Sequence, residues 1–159
     1  MPEYGPCAPD SRFPDSQGRL PGVFLRDKRA ETVTEEKTMA ECMAVGIGGL
    51  IGSVCRYLIG LIPVGGRCVF PIKTFMINVA GSFLIGLITA LAAGSGPANP
   101  RLVLFLKVGI CGGFTTFSSF ALETEGLIRQ GNPGMAVLYA ALSVAAGTAA
   151  AFAGEAVGR

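Results

Sequence analysis

Four long apolar stretches, separated by short segments rich in glycine and proline, dominate the hydrophobic pattern of the chain. Each is close to the ~20 residues that a helix needs to cross the ~30 Å hydrocarbon core of a bilayer. Inside lipid, such a stretch satisfies its backbone polar groups as an α-helix. The pattern therefore predicts an all-α membrane protein with four transmembrane helices per subunit and both termini on one side, the spans being about 43–64, 74–94, 102–122 and 135–153.

Charged residues are concentrated before residue 39. The chain is 50% hydrophobic and 15% charged, whereas a typical soluble domain has about 25% charged residues. More than half of the charged side chains lie in the first segment, which is also rich in proline and glycine. This composition predicts a disordered tail over 1–38 and a four-helix transmembrane domain over 39–159. The alternative is that translation starts at Met39 or Met43 and that the tail is an artefact of the start site.

Several functional classes lack their usual residues. The sequence has no histidine, and its 5 cysteines form no C-x-x-C pair, so a histidine relay and a zinc site are disfavoured. No paired carboxylates, phosphate-binding loop or nucleophile with a histidine partner is visible, and we predict that the protein is not an enzyme. A basic cluster interleaved with aromatic residues is also absent, so no nucleic-acid partner is predicted.

The positive charges near the spans are almost balanced between the two sides of the membrane. The side of the termini carries Lys37, Arg101, Lys107 and Arg159, and the opposite side carries Arg67, Lys73 and Arg129, with Arg56 nearest to it. Orientation normally follows an excess of Lys and Arg in the cytoplasmic loops. Two interpretations stay open: either the count is too small to be informative, or the chain inserts both ways and forms an antiparallel dimer.

Small residues mark faces at which helices can approach closely. Gly48 and Gly52 lie one turn apart in the first span, and Gly109 and Gly113 do so in the third. Such pairs are common where membrane helices pack against each other. Four short helices are also too few to enclose a pore, so we expect an oligomer.

The third span has the most unusual composition. Gly112 and Gly113 are followed by Thr115 and Thr116 and then by two serines, a sequence that forms a poor continuous helix. We predict that the helix is broken at Gly112–Thr116. Broken membrane helices commonly use their freed main-chain carbonyls to coordinate a cation such as Na⁺. A kinked packing helix rich in serine and threonine is the alternative.

Polar and aromatic side chains recur at helical spacing in the spans. Asn78 interrupts an apolar run in the second span, and Tyr139 and Ser143 lie four residues apart in the fourth. Phe117 and Phe120 lie three residues apart, and the positive edge of an aromatic ring can contact an anion. Helix packing and hydrogen bonds between helices are the alternative roles.

Two charged residues complete the candidate set. Arg56 lies inside the first span near its end, and an ionisable residue at that depth indicates a functional role. The alternative is that its long side chain reaches the interface beside Tyr57. Glu123, at the end of the third span, is a candidate partner or mouth residue, as is Glu125.

Three motifs, one in each of the first three spans, resemble the Fluc (CrcB-like) fluoride channel family. They are GG-x-x-G-x-x-x-RY at 48–57, TF-x-x-N-x-x-GSF-x-x-G at 74–86 and GGFTTFSSF at 112–120. The motifs occur in order within a chain of four spans, and the resemblance covers about 43–153. It excludes the tail.

The resemblance implies an antiparallel, dual-topology homodimer with two separate anion pores and a structural Na⁺ at the dimer centre. Main-chain carbonyls of Gly112 and Thr115 from each subunit would bind that ion. The ring edges of Phe117 and Phe120 would contact fluoride. The other residues of the anion pathway would be Asn78, Thr116, Tyr139 and Ser143.

The function implied by the resemblance is passive fluoride efflux across the cell membrane, which lowers cytoplasmic fluoride and gives fluoride resistance. The protein would be a multi-pass component of the inner or plasma membrane, with fluoride, membrane lipid and a second copy of the chain as partners. Na⁺ is the implied cofactor. Gly147 departs from the family pattern, because a hydroxyl residue can occur at this position in relatives.

Two other classes of membrane protein compete with a channel. A dual-topology drug/proton exporter also has four short spans, but its chemistry needs a titratable carboxylate in the membrane, and Glu41 lies before the first span. An assembly protein without transport activity would explain the small residues but not the alignment of Asn78, Ser143 and the two phenylalanines.

Overall fold

The computed structural model describes residues 28–63, 69–94 and 99–159, with side chains from residue 35 onward. The chain divides into two units, Met1–Glu36 and Lys37–Arg159, and the second unit contains all of the predicted site residues. Most of the predicted disordered tail over 1–38 lies outside the described residues.

The secondary structure of the described residues is entirely helical. One long stretch, the third span, is composed of several consecutive helical pieces that include a π-helix. In chain order the helices are α1 (Lys28–Leu61), α2 (Ile72–Gly94), α3 (Pro100–Val103), the π-helix (Leu104–Cys111), α4 (Gly112–Phe114), α5 (Phe117–Arg129) and α6 (Pro133–Gly158).

Four helical stretches are long and apolar enough to cross a membrane in the described chain. They are Glu35–Leu61, Ile72–Gly94, Pro100–Arg129 and Pro133–Gly158. The prediction of an all-α chain with four long apolar helices is confirmed. Helix α1 begins at Lys28, within the segment that the composition assigned to the tail. Its first turns are rich in Glu, Lys and Ala, which favour a helix without being apolar.

Glycine and proline determine where α5 ends and α6 begins. Gly131 has φ +78°, a left-handed conformation that glycine adopts without steric cost. Its N–H donates to the carbonyl of Ile128 at 3.0 Å, and the N–H of Asn132 donates to the carbonyl of Leu127 at 2.9 Å. This pair of hydrogen bonds terminates α5 in a Schellman motif. Pro133 then occupies the first turn of α6, where its missing N–H has no cost.

Glycines allow the spans to pack at backbone distance within one chain. A side chain on Gly109 would lie 2.9 Å from Gly48 Cα, and one on Gly113 would lie 3.0 Å from Gly49 Cα. Helix α1 therefore crosses the third span through paired glycines. These small-residue faces are occupied within the subunit, and the oligomer that we expected stays a prediction. They contribute to packing of the single chain.

Glycines also allow α2 and α6 to pack at backbone distance. A Cβ on Gly154 would meet the main chain of Phe83 and would lie 2.9 Å from the nitrogen of Leu87. A Cβ on Gly86 would meet the main chain of Ala151. The two helices therefore lie close along their length. The side chains between the glycine contacts form the surface that α2 and α6 share.

Candidate functional site

The third span contains two residues with extended backbone at membrane depth. Thr115 has φ −78° and ψ 157°, and Thr116 has φ −150° and ψ 115°. Gly112 remains helical, with φ −64° and ψ −38°. The two threonines, rather than the glycine pair before them, therefore interrupt the helical dihedrals.

The side chain of Asn78 binds the main chain of Thr116 at this point. Its Oδ1 accepts from the Thr116 N–H at 2.8 Å, and its Nδ2 donates to the Thr116 carbonyl at 3.1 Å. The amide thus satisfies both backbone groups of one extended residue, which lipid cannot do. One N–H of the Asn78 amide remains for another acceptor.

The hydroxyl of Thr116 starts the next helix. Its Oγ1 accepts from the N–H of Ser119 at 3.2 Å and lies 3.1 Å from Ser119 Oγ. Threonine is a favoured N-cap because its oxygen satisfies an amide that has no helical acceptor. Thr116, predicted as part of the anion pathway, therefore also acts as the cap of α5.

These two bonds free the carbonyls of Gly112 and Thr115 from their helical donors. In a continuous α-helix, the N–H of Thr116 would donate to Gly112, and the N–H of Ser119 would donate to Thr115. Here the first donates to Asn78 and the second to the Thr116 hydroxyl. The two carbonyls are the ones that the family resemblance implies as Na⁺ ligands. Oxygen atoms of this kind suit a hard cation such as Na⁺.

Arg56 binds the end of α4, and within the described ranges it makes no ion pair with an acidic side chain. Its Nε donates to the carbonyl of Gly113 at 3.2 Å, and Ser53 Oγ donates to the same oxygen at 3.4 Å. This carbonyl belongs to the last turn before the extended threonines, where a cation is also favoured by the helix dipole. The suggested partnership of Arg56 with Glu123 is not present.

Glu123 instead joins α2 to α6. Its Oε1 accepts from Thr74 Oγ1 at 2.7 Å, and its Oε2 accepts from the Tyr139 hydroxyl at 2.8 Å. Tyr139 is fully buried, and its ring packs against Phe70 and Phe120 with centroids at 5.2 and 5.1 Å. The phenolic hydrogen that we assigned to the anion pathway is therefore engaged with a carboxylate.

A groove of about 340 Å³ lies beside the extended threonines. It is referred to below as the Asn78 groove. Five of the six predicted pathway residues line it, and Tyr139 does not. The lining residues are Asn78, Gly81, Ser82, Ile85, Cys111, Gly112, Thr115, Thr116, Phe117, Phe120, Ser143 and Val144.

Two features of the Asn78 groove are suited to a small anion. The rings of Phe117 and Phe120 lie with centroids 5.6 Å apart and are tilted by 45°, and Phe117 is 80% exposed in the single chain. Ser143 Oγ is the one buried side-chain oxygen or nitrogen of the described residues that lacks a hydrogen-bond partner. A buried hydroxyl without a partner is costly unless a ligand or water satisfies it.

Sequence reasoning missed three contributors to this site. Ser53 was not singled out, although its hydroxyl reaches the carbonyl of Gly113. Ser82 and Cys111 were not among the predicted pathway residues, although both line the Asn78 groove. The helical spacing of Ser82 from Asn78, four residues, was the available signal for the first of these groove residues.

Four apolar spans, with a groove of uncharged donors and aromatic rings at the interruption of one of them, define a multi-pass membrane protein. A family model described as "CrcB-like protein, Camphor Resistance (CrcB)" matches residues 43–155. The chain belongs to this family.

Curated relatives are similar over most of their length. A protein of Chlorobaculum tepidum is 48% identical over 117 residues, which cover 73% of this chain and 92% of the relative. One of Novosphingobium aromaticivorans is 48% identical over 118 residues, covering 72% and 93%. One of Agrobacterium fabrum is 44% identical over 123 residues, covering 76% and 98%. Each of the three is named "Fluoride-specific ion channel FluC".

Proposed function

We propose that this chain forms a fluoride-selective ion channel that carries fluoride passively out of the cell. The observation that carries the proposal is the Asn78 groove, which is lined by two aromatic rings and a partnerless hydroxyl beside the extended threonines. The relatives named fluoride-specific ion channels support it, because they are 48% identical to this chain over 117 residues and 44% identical over 123 residues. Under this proposal the protein is an ion channel and not an enzyme.

The physical requirement is to replace the water around a small, strongly hydrated anion without trapping it. A permeant ion must bind well enough to enter and weakly enough to leave. Fixed positive charge in the narrow part of a pore would hold fluoride too firmly. The ring edges of Phe117 and Phe120, the free N–H of Asn78 and the hydroxyl of Ser143 offer weaker, uncharged donors.

The working assembly in this proposal is an antiparallel homodimer with two pores. The exposure of Phe117 and the open space that a Cβ on Gly112 would meet support a second chain at this face. The nearly equal numbers of positive charges on the two sides support insertion in both orientations.

Topology can be tested with a single cysteine placed after Arg159 in a variant whose five native cysteines are replaced. Intact cells are treated with a membrane-impermeant maleimide. Dual topology predicts that about half of the chains are labelled, whereas labelling of all or none would contradict it. Labelling after membrane permeabilisation is the control for accessible thiol.

A Na⁺ ion at the dimer centre is the proposed structural cofactor. The carbonyls of Gly112 and Thr115, freed from their helical donors, would bind it, two from each subunit. When bound, a cation supplies positive charge that lowers the cost of an anion nearby. The thermal midpoint of the purified protein should rise when Na⁺ replaces choline at equal ionic strength, and an unchanged midpoint would count against this site.

The proposed cellular role is fluoride resistance through a protein of the inner or plasma membrane. A fluoride-sensitive bacterial strain that expresses the chain should grow at fluoride concentrations that stop the parent strain. The Phe117→Ile variant, which keeps an apolar side chain but lacks the ring edge, should reach the membrane and fail to restore growth. Equal growth with Phe117→Ile would contradict a role of the ring in fluoride passage.

A further inference from the structure

A second groove continues from the Asn78 groove towards the side of the chain termini. Its volume is about 700 Å³, and it is referred to below as the Lys107 groove. The two grooves share four lining residues and therefore adjoin each other along α2 and α6. The shared residues are Ser82, Ile85, Ser143 and Val144.

Lys107 is the cation of this groove. It lies on the π-helix and is half-buried. Within the described part of the chain it makes no hydrogen bond and no ion pair. The acidic residue that lines the same groove, Glu155, is already paired with Arg159. Among the described residues, the charge of Lys107 therefore has no acidic partner.

Hydroxyl groups lead from Lys107 to the Asn78 groove. Thr148 lines the Lys107 groove, and Ser82 and Ser143 line both grooves. A Cβ built on Gly147 would lie 3.5 Å from Ser82 Oγ. The serine of α2 thus stands beside the position at which α6 lacks a hydroxyl, and the line of donors continues across the glycine.

We propose that Lys107 is the anion-attracting residue at this mouth of the fluoride pathway, a role that rests on the proposed channel function. Its charge raises the concentration of small anions in the Lys107 groove, and the hydroxyls then donate hydrogen bonds to the ion. Because the lysine stands at the wide end and not beside the phenylalanines, it speeds access without binding fluoride in the narrow part. It attracts anions by sign and does not choose fluoride over chloride.

The test is the fluoride efflux rate from liposomes of neutral phosphatidylcholine at two ionic strengths. Near 10 mM ionic strength the screening length is ~30 Å, and at 1 M it is ~3 Å. Lys107→Gln should lower the initial rate about two- to fivefold at the lower ionic strength, the size expected for one charge at roughly 5–10 Å in a wet groove. The difference should nearly vanish at the higher one. Lys107→Arg should behave like the unmodified protein.

Arg101→Gln is the matched control. Arg101 lies at the same end of the same span and is exposed, but it lines neither groove. Its neutralisation should leave the rate at low ionic strength nearly unchanged. Equal slowing by the two variants would overturn the proposal, because Lys107 would then act only through the general surface potential. An unaltered rate in Lys107→Gln would overturn it as well.

A second measurement avoids dependence on the folding of Lys107→Gln. Lys107→Cys, in a background without the 5 native cysteines, is reconstituted and then modified with a cationic or an anionic thiol reagent of similar size. The cationic reagent should raise the fluoride rate and the anionic reagent should lower it, whereas equal effects of both would overturn the proposal. If the unmodified protein carries no fluoride, the channel function itself fails; if it does and these variants are insensitive, only the role of Lys107 fails.

Discussion

Replacing Asn78 with leucine should destabilise the protein through the extended threonines. The substitution keeps the side-chain size and removes both bonds to the main chain of Thr116, at 2.8 and 3.1 Å. Each lost bond costs about 0.5–1.5 kcal/mol, and each buried backbone group left without a partner costs about 1–3 kcal/mol. Since these terms describe the same two groups, they are not added together; at about 1–2.5 kcal/mol for each group, we expect a total loss of about 2–5 kcal/mol.

The assay is thermal unfolding of the detergent-solubilised protein, followed by the fraction that remains monodisperse. At about 4 °C per kcal/mol for a chain of this size, the midpoint of Asn78→Leu should fall by roughly 8–20 °C. Thr89→Val on the same helix is the control, since its hydroxyl donates only to the carbonyl of Ile85 in its own helix. That control should shift the midpoint by less than about 4 °C.

Asn78→Asp separates the structural role from the anion pathway. It keeps an acceptor for the Thr116 N–H, loses the donor, and adds a negative charge beside the Asn78 groove. Its midpoint should therefore lie between those of the native protein and Asn78→Leu, while fluoride efflux should be lost through charge repulsion. A native midpoint for Asn78→Leu would refute the view that this amide stabilises the extended backbone.

Two further predictions concern stability. Arg56→Met should lower the free energy of unfolding by about 1.5–3 kcal/mol, because the carbonyl of Gly113 loses its charged donor. Arg129→Gln is the control, since it breaks an exposed ion pair and should cost less than about 1 kcal/mol; equal losses in thermal unfolding would contradict this assignment. Gly154→Val should cost about 3 kcal/mol or more, because the new side chain meets main-chain atoms of α2. Gly46→Val, where a Cβ meets nothing within 4 Å, is its control, and a similar yield of monodisperse protein from both would argue against the close contact.

The spans could be predicted from sequence because lipid leaves the backbone few alternatives to a helix. The ends of the spans were less accurate. Helix α1 extends into a charged segment that hydropathy assigned to the tail, and α5 continues to Arg129. Helix formation there depends on propensity and on the Schellman motif at Gly131, which are not features of an apolar pattern.

The position of the extended backbone depended on residues distant in sequence. Glycine content indicated a poor helix over Gly112–Thr116, but Gly112 stays helical and Thr115 and Thr116 are extended. The competing acceptor is the side chain of Asn78, which lies 38 residues before Thr116. It accepts from the Thr116 N–H, which would otherwise donate to the carbonyl of Gly112. The partners of Glu123 could not be predicted from its neighbours in sequence either, because its two hydrogen bonds reach two different helices.

The most direct test of the proposed channel compares fluoride and chloride efflux from the same liposomes containing the purified protein. The account predicts fast fluoride release with little chloride release, and loss of the fluoride signal in Phe117→Ile while that variant remains folded. Absence of fluoride release from well-folded native protein, or release of both halides at similar rates, would contradict it.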